Sequence, residues 1–250
     1  MQQSDAPAKS VAHLVKRAIQ KCRFWDAPYI RRRRRVARQV LRGSGIEIGA
    51  LHNPLKVPAW VKVSFVDRMG VDDLRAQYPE LADKPLVTVD VIDDGERLGK
   101  FAAGSQDFVI ANHFLEHTQD PIGTLESHLR VLKPGGILYM AIPNRHVTFD
   151  KDRPPTPWEH FVKDHVEGAA WSFEDHLIEY VELVEKRTGQ DRDDRLRDMK
   201  RINYSIHFHV WNEAEFRSFL DKSIEQFKLP CEVQYCQHLQ VEILAILRKK

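Results

Sequence analysis

Cysteine is scarce in this chain of 250 residues, and Cys22, Cys231 and Cys236 do not show the paired spacing of a zinc site. So few cysteines exclude a disulfide-stapled secreted scaffold and favour a reducing compartment. No apolar run reaches the roughly 18 residues that a membrane-spanning helix needs. Residues 1–10 also lack the apolar core of a signal peptide, so we expect a cytoplasmic protein.

Acidic residues are nearly missing from residues 1–42, which hold twelve Lys or Arg against Asp5 and Asp26. Because the net charge of the whole chain is only +2, the remainder is acidic on balance. Apolar residues recur at helical spacing over 11–42, so this basic arm is predicted to be helical. Within it, residues 9–42 leave three functions open: a solvated helix face, a membrane or anionic-substrate patch, and a nucleic-acid contact, which the scarcity of aromatics disfavours.

From residue 43 onward, short apolar runs alternate with helical patterns. Strands are predicted at 45–48, 61–66, 86–89, 108–111 and 137–142, with a helix ending near Val131 and a turn at 133–136. The run at 108–111 is continuously apolar and is expected to be buried on both faces. A helix over 211–220, with Asn212 as its N-cap, precedes an antiparallel pair at 231–235 and 241–247. The alternation predicts a mostly parallel, three-layer α/β sheet.

Residues 145–206 interrupt this alternation with a proline-rich stretch at 150–157 and a charged helical region at 172–201. Insertions at the carboxyl ends of strands are where substrate pockets are commonly built. We therefore divide the chain into a basic helical arm, residues 1–42, and a globular domain, residues 43–250, that carries this substrate-site insertion.

The stretch 45–54 combines an apolar run, an acid at Glu47 and a glycine at Gly49 that opens a turn. Glycine lets the backbone approach a ligand closely, as in nucleotide-binding loops after a first strand. Asp67 ends the second predicted strand about 20 residues later, where a doubly wound fold places the carboxylate that binds ribose hydroxyls. A cap on the following helix is the other interpretation of Asp67.

Together these motifs resemble class I S-adenosylmethionine-dependent methyltransferases of the small-molecule branch. The resemblance is carried by Glu47-Ile48-Gly49, Asp67, ANHFLEH at 111–117, LKPGG at 132–136 and IPN at 142–144. Leu51 and Asn53 depart from it, because the family often has glycine at both positions. The resemblance implies a Rossmann-like, doubly wound sheet of seven strands, mostly parallel with one antiparallel strand, and S-adenosyl-L-methionine as cofactor.

The resemblance also implies a set of cofactor-binding residues: Glu47, Gly49, Ala50, Asp67, Asp90, Val91, Asn112 and His113. In this set, Glu47 and Gly49 would approach the methionine part and Asp67 would hold the ribose. Asp90 and Val91 would flank the adenine, although Asp93 competes with Asp90 for that place.

Methyl transfer to a hydroxyl needs a base, and histidine suits this role because its pKa lies near neutrality. Our candidates are His160 first, then His113 and His146, which follow strand ends or lie in the insertion. His207 and His209 share one face of an expected strand, but we find no carboxylate at a recognisable metal spacing and predict no metal site. Glu159 and Asp164 leave a magnesium-assisted variant open.

We therefore expect a methyltransferase that acts on a hydroxyl of a small-molecule, saccharide or lipid-linked acceptor, with Trp158 and Trp171 available for sugar stacking. The basic arm would place the protein at the inner face of a membrane. Alternatives are a nucleic-acid methyltransferase and a non-catalytic protein that keeps the cofactor fold. The acidic body and the lack of an Asn/Asp-Pro-Pro-aromatic motif disfavour nucleic acid, and the missing GxGxxG spacing disfavours a nicotinamide enzyme. The sequence sets no oligomeric state.

Overall fold

A seven-stranded sheet organises the protein in a computed structural model that describes residues 27–250 except 79, 80, 82 and 203. Its strands are β1 (Ser44–Ile48), β2 (Lys62–Asp67), β3 (Val91–Ile92), β4 (Gln106–Asn112), β5 (Leu132–Pro143), β6 (Cys231–Leu239) and β7 (Glu242–Lys249). They lie in the order β3-β2-β1-β4-β5-β7-β6. β7 runs antiparallel to β5 and β6, and the other pairs are parallel. The predicted fold class is confirmed.

Seven helices surround the sheet in the described part of the chain: α1 (Pro28–Val40), α2 (Val71–Gln77), α3 (Pro121–Val131), α4 (Trp158–Glu167), α5 (Phe173–Leu183), α6 (Gly189–Arg201) and α7 (Glu213–Phe227). Short 3-10 turns cover Leu115–His117, Arg145–Val147, Phe149–Asp152 and Ala169–Trp171. Pro28 and Pro121 are the first residues of their helices, a position at which a backbone N–H would have no partner within the helix. Asn212 and Glu215 form the reciprocal capping box that the sequence predicts.

The two faces of the sheet are covered by different helices. α1 places Val36 and Ala37 in a cluster with Phe108 of β4 and Tyr139 of β5 on one face. α3 and α7 cover the other face with a larger cluster. Residues 108–111 are fully buried between the two, as their continuous apolar character predicts. The first part of the basic arm, residues 1–26, lies outside the described residues.

The insertion builds a small core of its own. Six apolar side chains of α5, α6 and the segment that follows pack together: Leu177, Val181, Leu196, Met199, Ile206 and Phe208. Beneath them Arg153 is buried, with ion pairs to Asp150 and Glu179 and hydrogen bonds to the carbonyls of His207 and Phe208. The guanidinium therefore joins the start of the insertion to its end.

Three local predictions are corrected. Residues 86–89 are not a strand, because β3 is only Val91–Ile92 and lies beside the end of β2. The turn predicted at 133–136 is the irregular start of β5, with Gly135 at a φ of +78° and a shift in its pairing with β4. Residues 204–210 form no strand, so His207 and His209 do not share a strand face.

Candidate active site

A cavity of about 430 Å³ opens where β1 and β4 end, at the carboxyl edge of the parallel strands. Its wall includes the loop after β1, the residues after β4, the start of β7 and one side of α1. Five predicted cofactor residues lie on this wall: Glu47, Gly49, Ala50, Asn112 and His113. Ligands of open α/β sheets bind at this edge, so the position agrees with the prediction.

The loop after β1 is tied back by the carboxylate of Glu47. Both carboxylate oxygens accept from the Leu55 N–H, at 2.9 and 3.1 Å. Burial raises the pKa of Glu47 to about 7, against the lowering effect of that hydrogen bond. Glu47 therefore has a structural role, because it holds the loop after β1 in place through Leu55.

Two residues of the loop adopt left-handed backbone conformations. Gly49 has a φ of +62°, which glycine adopts without strain, and Leu51 has a φ of +48°. A left-handed conformation costs a residue with a side chain about 1–2 kcal/mol. The Val87 N–H donates to the Leu51 carbonyl at 2.8 Å and helps to hold it there. Leucine thus adopts the conformation for which the family often uses glycine.

Asn112 ends β4 on the cavity wall, where its buried amide lies beside the carboxylate of Glu47 and helps to lower the pKa of that carboxyl. Its amide oxygen is buried without a hydrogen-bond partner among the described residues, and because buried polar atoms almost always have partners, a polar ligand would complete its hydrogen bonding. Asn112 can both donate and accept, which fits a cofactor that carries an adenine, a ribose and an amino acid.

The remaining predicted cofactor residues lie off this wall. Asp67 ends β2, next to β1, and accepts from the Arg68 N–H at 2.8 Å, while burial raises its pKa. Asp90 precedes β3 instead of ending it, and its carboxylate accepts from the Phe65 N–H of β2 at 2.8 Å. Val91 pairs with Val66 at the start of β3. The adenine contact of Asp90 was predicted on the assumption that Asp90 ends a strand. It does not end one, so the contact stays a prediction without that support.

His113 lies between two carboxylates on the cavity wall. Its Nε2 is 3.0 Å from Glu242 and its Nδ1 is 3.5 Å from Glu116, and Glu242 also pairs with Arg33 of α1 at 3.4 Å. Burial opposes the charge of the imidazole, but the two carboxylates outweigh it and raise the pKa of His113 to about 9. A protonated imidazole cannot serve as a base, so His113 contributes charge at neutral pH.

His117 also lies on the cavity wall, and its environment is the opposite of that of His113. Its Nδ1 is 2.8 Å from the Ile206 carbonyl, which only accepts, so the proton is on Nδ1 and Nε2 keeps its lone pair. Burial lowers the pKa of His117 from 6.5. The sequence analysis gave His117 no catalytic role, although it follows the carboxyl end of β4, where site residues are expected.

The other two catalytic candidates are elsewhere. His160 lies on α4 against His176 and Asp164, and His146 accepts from the Asn212 amide at 3.1 Å. Neither residue lines the cavity. The structure therefore does not bring His160, His146 and His113 together.

Both tryptophans proposed for sugar stacking are also outside the cavity. Trp158 packs against Phe161, Phe219 and Phe227, and Trp171 lies under the ammonium of Lys163. The aromatic argument for a saccharide acceptor therefore loses its support.

Two groups of described residues bring carboxylate and imidazole atoms within 4.8 Å of one another: Glu116 with His117 and His207, and Asp164 with His160, His176 and His209. No carboxylate stands at a recognisable metal spacing from His207 or His209 in the sequence, but the fold brings Asp150 to 2.7 Å from His207 and Asp164 to 3.1 Å from His209. Burial lowers the pKa of His209 and, together with the neighbouring imidazoles, lowers that of His176 to about 3. Both imidazoles are therefore neutral at pH 7.

Residues 27–223 match a family model described as a methyltransferase domain. The chain belongs to this methyltransferase-domain family. The family match confirms the resemblance found in the sequence, and with it S-adenosyl-L-methionine as the cofactor. No curated protein gives a significant sequence match to this methyltransferase.

This methyltransferase is similar to several solved structures at low sequence identity. A SAM-dependent methyltransferase from Aquifex aeolicus is 13% identical over 83% of this chain and 82% of its own, with a TM-score of 0.44. A protein of Rhodobacter sphaeroides provisionally named a Zn-dependent alcohol dehydrogenase is 16% identical over 84% and 85%, with a TM-score of 0.50. A SAM-dependent methyltransferase from Methanosarcina mazei is 16% identical over 84% and 95%, with a TM-score of 0.43.

Among the described residues, none of the helices combines the length and the apolar character needed to cross a bilayer.

Proposed function

We propose that this methyltransferase transfers a methyl group from S-adenosyl-L-methionine to a hydroxyl of a small acceptor that carries a negative charge. The observation that carries the proposal is His117, a neutral imidazole on the wall of the same cavity that holds the loop after β1. A hydroxyl must lose its proton as its oxygen attacks, and a neutral imidazole within reach takes that proton.

The cofactor, when bound, supplies an electrophilic methyl group on a sulfonium. The residues that would hold it are the backbone of Gly49 and Ala50 and the amide of Asn112, whose oxygen is buried without a partner among the described residues. Asp67, at the next strand end, would bind the ribose hydroxyls. The protein's own task is to hold the acceptor oxygen in line and to exclude water from the cavity.

His117 would take the acceptor proton on Nε2. The Ile206 carbonyl fixes the tautomer because it accepts from Nδ1 at 2.8 Å, and the Ser205 hydroxyl lies 3.1 Å from the same nitrogen. A carboxylate oxygen of the buried Glu116 lies within 4.8 Å of a ring nitrogen of His117 and would stabilise the imidazolium that forms, as a carboxylate does beside other catalytic histidines.

The charge of the cavity wall supports an anionic acceptor. Arg33 is neutralised by Glu242, but Arg34 has no ion pair or hydrogen bond among the described residues, and its Nε is buried. Both residues belong to α1, which packs on the sheet beside the cavity. Guanidinium groups bind carboxylates and phosphates through paired hydrogen bonds, so Arg34 would recognise such a group on the acceptor.

Cofactor binding is tested by calorimetric titration with S-adenosylmethionine and, separately, with NADH. We expect binding of the first only, weakened at least about tenfold in Asn112→Leu and in Asp67→Ala, because each loses hydrogen bonds worth about 1–3 kcal/mol. Asp72→Ala, an exposed acid of α2, is the matched control and should bind as the wild type does. Unchanged affinity in both variants would contradict this site, and binding of NADH alone would contradict the function.

Acceptor charge is tested with pairs of hydroxylated compounds that differ by one carboxylate or phosphate. We expect Arg34→Gln to raise KM for the charged member about tenfold and to leave the neutral member unchanged, because a charged hydrogen bond contributes about 1.5–3 kcal/mol. Arg31→Gln lies on the exposed side of the same helix, outside the cavity wall, and should change neither. Equal effects on both members would refute an anionic acceptor.

A further inference from the structure

Four side chains outside the large cavity bring their metal-binding atoms together: His160, Asp164, His176 and His209. Nε2 of His160 is 3.0 Å from Nε2 of His176 and 3.1 Å from Oδ2 of Asp164. Nε2 of His209 is 3.1 Å from the same carboxylate oxygen. A tetrahedral zinc ion with bonds of about 2.0–2.1 Å holds its ligands roughly 3.3 Å apart. Three of the six separations are close to this value, and all six lie within 4.8 Å.

The groups behind these ligand atoms are arranged as they are around bound metals. The Thr118 carbonyl lies 3.1 Å from Nδ1 of His209, so that nitrogen carries the proton and Nε2 presents its lone pair to the cluster. The Ser172 hydroxyl donates to the second oxygen of Asp164 at 2.8 Å. Such outer hydrogen bonds fix ring orientation and ligand charge in metal sites.

Without an ion, the hydrogen bonds of the cluster cannot all be made by neutral imidazoles. Nε2 of His209 would face Oδ2 of Asp164 lone pair to lone pair, and both residues are fully buried. A single proton on Nε2 of His160 would be shared between His176 and Asp164. A cation at the centre removes both conflicts, because three nitrogen lone pairs and one carboxylate would then point at a positive charge.

We propose that His160, Asp164, His176 and His209 bind one divalent transition-metal ion of the zinc type. Three imidazoles and one carboxylate suit zinc, whereas magnesium and calcium prefer oxygen ligands. None of the four residues lines the large cavity, and four protein ligands leave no open position on a tetrahedral ion. The site is therefore structural, separate from methyl transfer.

The ion would connect elements that otherwise belong to different cores. α4, which carries His160 and Asp164 one helical turn apart, packs on the main core through Phe161. α5, which carries His176, packs in the core of the insertion. His209 lies on the segment between the insertion and α7. One ion would thus hold the insertion against the sheet domain.

The test measures metal content and metal geometry in the full-length protein. After expression with added zinc and extensive dialysis, elemental analysis should find one zinc ion per chain, and cobalt should replace it with the visible spectrum of a tetrahedral site. Asp164→Asn and His160→Gln should each lose the ion. His165→Gln is the control, because it lies on the same helix, beside Asp120, with the same side-chain exposure of 17% as His160.

A chelator should lower the melting temperature of the wild type and of His165→Gln but not that of His160→Gln, which has already lost the ion. If Asp164→Asn fails to fold, His160→Gln still tests the proposal, because the His160 side chain is partly exposed. The proposal is overturned if the folded protein holds no stoichiometric metal, in which case the cluster is a hydrogen-bond network. It is equally overturned if His160→Gln retains the ion, which would place the metal elsewhere.

Discussion

Replacing His117 by glutamine is expected to lower kcat by about 10²–10⁴-fold, the usual contribution of a general base. Glutamine is of similar size and can still donate to the Ile206 carbonyl, but it cannot take a proton. The affinity for S-adenosylmethionine should stay within a factor of two, because His117 acts on the acceptor. Steady-state kinetics with a hydroxyl acceptor and calorimetry with the cofactor measure the two quantities.

The pH dependence of the same reaction gives a second measure. Burial lowers the pKa of His117 below 6.5, and the base acts only when neutral, so kcat/KM should be constant at neutral pH and fall on the acid side of pH 6.5. The acid limb should disappear in His117→Gln. His52, another histidine of the cavity wall, is the comparison, and His52→Gln should keep both the rate and the limb. If His52→Gln lowered kcat more than His117→Gln did, the base would be His52, in the loop after β1.

Replacing Arg153 by methionine is expected to lower the free energy of unfolding by about 3–5 kcal/mol, the cost of breaking a buried ion pair. The Arg153 side chain is 1% exposed and lies 3.0 Å from Asp150, which is equally buried. Methionine fills a similar volume but leaves Asp150 without its guanidinium partner and leaves the carbonyls of His207 and Phe208 without a donor. Urea denaturation followed by circular dichroism measures the change.

Arg197→Met is the matched control for this loss. Arg197 also pairs with an acid three positions away, Asp194, but on the exposed surface of α6, where an ion pair contributes about 0–1 kcal/mol. If both variants lose stability equally, or if Arg153→Met loses less than about 1 kcal/mol, Arg153 does not join the two ends of the insertion.

The sheet could be predicted because its signals are local. Residues 108–111 are apolar without interruption, which few structures other than a strand buried on both faces explain. The capping box at Asn212 and Glu215 is likewise defined by residues three positions apart. The strand prediction failed at β3, which has only two residues. The apolar run before it makes an isolated hydrogen bond from the Val87 N–H to the Leu51 carbonyl, and the adjoining Asp90 N–H donates to the Phe65 carbonyl.

The site was only half predictable, because the state of a histidine depends on partners that are remote in sequence. Burial keeps His117 neutral and a carbonyl 89 residues away fixes its tautomer, while Glu116 and Glu242, the second of them 129 residues away, keep His113 charged. His160 meets His209 only when α4 packs beside the segment before α7. The sequence places the cofactor loop at the end of β1, but it cannot distinguish a base from a charged or metal-binding histidine.

The position of β7 has a consequence for synthesis on the ribosome. It is made last of the seven strands, yet it lies between β5 and β6 and carries Glu242, which pairs with Arg33 and His113. Until its residues leave the exit tunnel, the outer edge of β5 has no partner strand, and Arg33 and His113 lack the carboxylate of Glu242. The nascent chain therefore exposes an aggregation-prone edge from the time β5 emerges until β7 emerges, and a chaperone that shields unpaired strands would act in that interval.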